Sequence, residues 1–392
     1  MINSFVHMLI RTFSFFPSIT FNVVPAEIFP WGVILFLLKK TKFFLWEFFV
    51  LLGFVFWTIV GIQNGSPGEA VKTLFSYLNP ILVLFYILHV SSASIYKMVR
   101  IAKGVLLFLI AVGCMQIMGL LGWLEFLFDA IVSRGGTEAV GGGRGVSLFS
   151  TEPSRAGVEI IFVYALLRFY HAGVKYVWFY DALIFIFVVL VIKSAVALGF
   201  LIVFFFLVRP KISLVLIFIA AVFSLGSSDV RSLAVLSQIL SSSDIATVLK
   251  FVFNQSGFRL ISVFSSYNYA LLNAFGSGIG SWPVSIVDAL NLSGFSASEI
   301  SYFRLYFSGE FSSVKPTAYA ALLFLETGLL YGIILSCIFV AWLIHHVRVD
   351  RRTFALTTIF FLYVFFMGAV GNPVPWIAYG LMVRLSTLAR GV

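Results

Sequence analysis

Charge is what this chain has least of. Asp, Glu, Lys and Arg together make up 11% of its 392 residues, where a soluble domain carries roughly a quarter. So few charges cannot cover a water-facing surface, and a water-soluble fold is excluded. Cysteine is scarce as well. Cys114 and Cys337 both fall in apolar runs and read as buried packing thiols, with a structural disulfide neither required nor excluded. Histidine is missing where chemistry would need it: His7, His89, His171, His345 and His346 all lie outside the two long polar stretches, 122–151 and 226–316, which argues against a histidine base or a zinc site there. Those stretches also lack an Asp-x-Asp pair, which disfavours a divalent cation clamped on a diphosphate. Neither a metal nor a cofactor is expected. The first ten residues have no basic region and no small-residue cleavage site, so they read as a retained span and not as a signal peptide.

What the chain does have is hydrocarbon. Hydrophobic residues reach 61%, with 46 phenylalanines and a mean hydropathy of +1.06, a composition that lipid solvates without penalty. A crossing needs about 20 mostly apolar residues. Twelve segments approach this, at 1–16, 19–38, 43–62, 71–90, 101–121, 152–170, 176–191, 194–208, 212–225, 317–344, 353–370 and 374–388. The expected fold is therefore all-α: a polytopic integral membrane protein of about twelve helices, one transmembrane domain over residues 1–392. Taking alternate connections as cytoplasmic gathers fifteen Lys and Arg, from Lys39 to Arg390, on one side against Asp181 and Asp350, as the positive-inside rule requires. Both termini are then cytoplasmic. The outer side receives the stretches 122–151 and 226–316, and the second shows helical apolar spacing at 230–240, 245–253, 258–275 and 300–307. It is too hydrophobic to float in water, so amphipathic helices roofing the bundle are expected.

The formal net charge of +10 leaves cations that this topology disfavours: Lys72, Arg134, Arg144, Arg155, Lys193, Arg231, Lys250, Arg259, Arg304 and Lys315. Several can simply pair with outer acids such as Glu125, Glu138, Asp229 or Glu310. Arg144, Glu152 and Arg155 stand apart because they frame GGGRGVSLFSTEPSRAG. Its glycines permit close backbone approach, and Glu152-Pro153 opens a helix at the membrane boundary, where proline is favoured and free amides attract anions. The bland alternative makes Glu152 an N-terminal charge paired with Arg155; the functional one makes it a wall of an outward-facing polar cavity. Arg259 opens the longest outer helix, with Val263, Ser266 and Ala270 on its face. That helix runs into Phe275-Gly276-Ser277-Gly278-Ile279-Gly280-Ser281-Trp282, a weak phosphate signal with neither a Walker lysine nor strand context. Glu326, inside an apolar run, must face the bundle and be paired or protonated.

FSTEPSRAG, the Arg259 helix with its FGSGIGSW ending, and the following KPTAYAALLFLETGLLYG together resemble the bacterial O-antigen and capsule polymerases of the Wzy type, relatives of the O-antigen ligases. That resemblance implies a metal-independent, GT-C-like glycosyltransferase of the bacterial inner membrane, facing the periplasm. Such enzymes join undecaprenyl-diphosphate-linked oligosaccharide repeat units. It further implies Glu152, Arg259 and, in reserve, Glu310 as catalytic residues, with Arg144, Arg155, Arg304, Lys315 and Tyr267 holding diphosphate or glycan. The partners implied are lipid-linked oligosaccharide and membrane lipid, with a polysaccharide chain-length regulator as a further candidate and no nucleic acid. Ligase relatives carry a histidine just before the Glu-Thr-Gly helix, where this chain reads Val314-Lys315-Pro316-Thr317; that departure favours polymerase over ligase. A flippase or transporter of lipid-linked oligosaccharide is the competing class, disfavoured because the two halves show no self-similarity.

Overall fold

The computed structural model describes residues 2–18, 31–37, 44–122, 145–150, 152–171, 177–211, 258–346 and 350–389. Every regular element among them is helical. In chain order these are α1 (Ile2–Phe13), α2 (Trp31–Leu37), α3 (Leu45–Asn64), α4 (Pro67–His89), α5 (Ser92–Ile117), α6 (Pro153–Tyr170), α7 (Val177–Phe187, continued by a π turn at Val188–Ile192), α8 (Ala195–Val208), α9 (Phe258–Leu272), α10 (Trp282–Leu292), α11 (Ser301–Tyr306), α12 (Tyr319–His346), α13 (Arg351–Leu362, continued by a π turn at Tyr363–Met367) and α14 (Val374–Leu388). Among the described residues, four stretches are by length and composition sufficient to cross a membrane: Leu45–Asn64, Pro67–His89, Ser92–Ile117 and Tyr319–Ile344. The expected span 212–225 and the loop helices at 230–240 and 245–253 lie outside the described residues.

The interior is apolar, but so is much of the exposed surface. On α3, Phe48, Leu52, Val55 and Ile59 form an exposed stripe at helical spacing, which only a hydrocarbon solvent tolerates at this extent. Inside the bundle sit Glu47, Asn79, Gln116, Glu159, Arg168, Asp181 and Glu326, each hydrogen-bonded, because an unmet polar group in a dry interior is costly. Cys114 and Cys337 correct the sequence reading: both are free and exposed. In lipid the exposed faces are the apolar ones, so lying in an apolar run does not predict burial. Helix α6 is buried from Ala156 to Arg168 and forms the axis, flanked by α5, α8 and α14.

Three expected spans are not simple crossings. Helix α1 has 12 residues, about 18 Å at 1.5 Å per residue. Its Arg11 donates to Tyr86 (2.8 Å) and Ser94 (3.3 Å) at the end of the bundle where Glu47 meets His89 (2.7 Å), here called the lower end. The expected span 317–344 is broken at Gly328, whose φ of 75° and ψ of 178° belong to glycine alone. The chain folds back there: Tyr319 and Phe339 lie 5.2 and 6.4 Å from the Trp376 ring, whereas a continuous helix would separate them by about 30 Å. A limb from Tyr319 to Thr327 thus rises from mid-depth, and the rest of α12 descends. Finally, the link between α13 and α14 does not reach the upper end. Gly371 accepts from Asn79 (2.7 Å), whose position is the middle of α4, so α14 begins deep in the bundle.

Candidate active site

The segment before α6 is pinned from two sides. Val146 donates to Val191 (3.1 Å), and the Gln116 side chain brackets Leu148, accepting from its amide at 3.2 Å and donating to its carbonyl at 3.4 Å. Glu152 then enters in extended conformation ahead of Pro153, as the proline signal suggested. Its Oε2 accepts from Ser154 (3.2 Å) and from the Arg259 guanidinium, which arrives from 107 positions away in sequence. Burial alone would raise the Glu152 pKa, but the charge and hydrogen bond of Arg259, the charge of Arg155 and the Ser154 hydroxyl outweigh it, and the group lies below its ordinary 4.5. Both partners remain accessible, with side chains 35% and 49% exposed for Arg259 and Glu152. Both residues were singled out separately from the sequence, and the structure brings them together at the upper end of the bundle.

Beneath the pair lies a carboxylate that the sequence reading missed. Glu159 is buried, accepting from Ser150 Oγ (2.7 Å) and Asn372 Nδ2 (2.8 Å); Asn372 Oδ1 in turn accepts from Val374 N (3.0 Å) and starts α14. Arg155 acts electrostatically on both Glu152 and Glu159. The available signal was Glu159 itself, an acid in an apolar run one turn after Arg155, the same criterion that singled out Glu326. Asn372→Leu should leave Glu159 with one donor and the Val374 amide uncapped, a loss of about 1–3 kcal/mol per orphaned group. The expected result is a lower unfolding midpoint in detergent, and an unchanged midpoint would show the network to be incidental.

The other expected site residues are spread out. Lys315 lies over the Trp282 ring at 5.9 Å, and Trp282 Nε1 donates to Glu69 (3.1 Å), which pairs with Lys72 (3.8 Å). Tyr267 is committed to structure: its hydroxyl donates to the Phe365 carbonyl (2.7 Å) and its ring meets Phe324 edge-on at 5.6 Å. Burial pushes its phenol pKa upward. Arg304 and Glu310 are exposed, and among the described residues neither forms an ion pair or side-chain hydrogen bond. Arg144 lies outside the described residues. No group of three His, Cys, Asp or Glu side chains suited to a metal occurs among the described residues.

The glycine-rich stretch has a use other than phosphate binding. Gly278 N donates to the Glu326 carbonyl (2.8 Å), Ile279 N to Trp57 O (2.9 Å), and Gly280 N to Glu326 Oε1 (2.8 Å); Tyr77 donates to Glu326 Oε2 (2.8 Å). A Cβ on Gly278, already at φ 98°, would stand 2.1 Å from Gly61 N. The FGSGIGSW and Glu-Thr-Gly motifs therefore meet each other. The loop's amides hold the Glu326 carboxylate and carbonyl at the reversal of α12, which satisfies Glu326 as a buried helix-to-loop contact.

No family model, curated protein or solved structure matches this chain. The functional reading rests on the site and on the motif resemblance.

Proposed function

We propose that the protein is a polysaccharide polymerase of the periplasmic face of the bacterial inner membrane, with the upper end of the bundle periplasmic. It joins undecaprenyl-diphosphate-linked oligosaccharide repeat units without a metal, which suits a GT-C-like membrane enzyme of about twelve spans. The observation that carries this reading is the accessible Glu152–Arg259 pair at the head of the buried axial helix, two residues from separate motifs converging on one point.

In the chemistry proposed, a hydroxyl of the acceptor glycan attacks the anomeric carbon of the donor, the anomeric C–O bond to diphosphate breaks, and the hydroxyl proton leaves to a base. Arg259 takes the departing diphosphate, where a preformed cation is worth most, with Arg155, Lys315, Arg144 or Arg304 supplying further charge. Doing so releases Glu152 from its ion pair. A carboxylate stripped of that partner binds a proton more strongly, so arrival of the donor switches Glu152 from a quiet counter-ion to the base. Single displacement inverts the anomeric centre.

The depressed Glu152 pKa gives a pH prediction. A lowered folded-state value means that the pair's contribution is complete above pH 4.5 and fades only as pH falls through the lower value. The acid limb of kcat/KM, which reports the free enzyme, should therefore lie below pH 4.5. Arg155→Ala should move it upward, and an unmoved limb would separate Glu152 from the rate-determining ionisation. A second expectation is activity in excess EDTA; a strict Mg²⁺ requirement would contradict the metal-free step.

A flippase of lipid-linked oligosaccharide is the second reading, favoured by the fold-back at Gly328 and the deep link before α14, because transporters line their paths with broken helices. Both breaks fall in the last quarter of the chain and not in matching halves. An O-antigen ligase would instead move glycan onto lipid A-core. Purified protein incubated with lipid-linked repeats should give a ladder of longer glycans; transbilayer movement without lengthening would favour the flippase.

A further inference from the structure

Below the polar end, an open apolar groove lies between α3, α4, α12, α13 and α14. Its walls are apolar and largely aromatic, Trp46, Phe85, Phe339, Trp342, Phe360 and Trp376 among them. Its floor is at the lower end of the bundle: Trp46 stands beside Glu47 in the first turn of α3 and lies 6.4 Å from Trp342. The rim residues Leu335, Ser336 and Phe361 are half-buried, so a chain can enter sideways from the bilayer.

The top of the groove is the limb Tyr319–Phe324. That limb packs its other face on α9, where Ala318 and Ala321 meet Val263 and Tyr267, and α9 is the helix that begins beside Arg259. The limb that tops the groove therefore packs against the helix that carries Arg259.

We propose that this groove holds the far end of the polyisoprenoid chain of the lipid-linked donor, whose diphosphate sits at Arg259; the proposal rests on the function given above. Depth selects this occupant. The hydrocarbon core is about 30 Å thick, so one leaflet offers about 15 Å. An acyl chain anchored in the upper leaflet ends near mid-membrane, above Trp46 and Trp342. An undecaprenyl chain anchored at the same level is longer than a leaflet and has to continue into the lower half, where the groove lies. The groove thereby makes the enzyme sensitive to isoprenoid length, because a short chain stops before it reaches the aromatic floor.

The test fills the groove from its rim. Ser336→Trp and Val340→Trp place a large ring at positions that are half-buried and exposed, outside the tightly packed core. Each is assayed with the same oligosaccharide repeat on undecaprenyl diphosphate and on farnesyl diphosphate. The KM for the undecaprenyl donor should rise about tenfold with kcat within about twofold, while the farnesyl donor, too short to reach, responds equally in wild type and variants. Equal shifts for both donors, or none for either, would overturn the proposal. Retention of radiolabelled undecaprenyl phosphate by the purified protein gives a reading independent of catalysis: loss in both variants supports the groove, and full retention, the result expected if a lower-leaflet phospholipid is the true occupant, sinks it. Should no donor yield polymer while retention is still lost in the variants, the polymerase reading fails and the groove assignment stands.

Discussion

Arg259→Ala is expected to abolish long polysaccharide while leaving the amount of protein and the single-repeat product at wild-type levels. Removing one preorganised donor from a developing anionic charge lowers a rate by about 10²- to 10³-fold, enough to reduce a processive product to short oligomers. The loss cannot be ascribed to unfolding, because the pair with Glu152 is one-third to one-half exposed, and pairs of that kind contribute little to stability. Arg259→Lys keeps the charge and loses the planar fork, so an intermediate chain length is expected. Glu152→Gln should match Arg259→Ala in phenotype for the opposite reason: it frees Arg259 to bind diphosphate and removes the base. The double variant should be no worse than either single one, since both act in one step. Wild-type polymer lengths in either single variant would remove the site assignment.

Gly328→Ala should have the largest effect on the fold. The residue sits at φ 75° and ψ 178°, a region closed to side chains and worth about 1–3 kcal/mol of strain for any other residue. The added Cβ would also stand 2.5 Å from Gly276 N and 2.6 Å from Ala274 O, and neither backbone atom can retreat without undoing the bonds from Leu329 to Asn273 (3.2 Å) and Leu330 to Ala274 (3.2 Å). The midpoint of unfolding in detergent should fall by roughly 5 °C or more, with reduced accumulation in membranes. Gly199→Ala on α8, where nothing lies within 4 Å of the new Cβ, is the matched control and should be neutral. A Gly328→Ala protein as stable as that control would mean that α12 does not reverse at this point.

The two expectations differ in how far the sequence exposed them. Lipid-scale hydrophobicity and the placement of Glu152 at a helix start are local properties, and both were readable. Arg259 stood out because topology gave it no reason to be there. The reversal of α12 was hidden, since hydropathy records what a residue likes and not the direction in which the chain runs: ALLFLETGLLYG is equally apolar whether straight or folded. Pairing across elements was hidden too. Tyr267 looked available for glycan until its hydroxyl was found on Phe365, and the glycines at 276–280, only a weak phosphate signal in the sequence, gave no hint that their amides meet Glu326 and Trp57. Glu159 was legible in principle, as an acid where lipid forbids one, but nothing local joined it to Asn372.

The central claim is that this bundle lengthens a lipid-linked glycan at the Glu152–Arg259 pair. The most direct measurement is incubation of the purified protein, in detergent and EDTA, with undecaprenyl-diphosphate-linked repeat units, followed by separation of the products by length. A ladder rising by whole repeats with wild type, reduced to the single-repeat band with Arg259→Ala, is the predicted result. Unchanged substrate with well-folded wild type, or an equal ladder from Arg259→Ala, would contradict it.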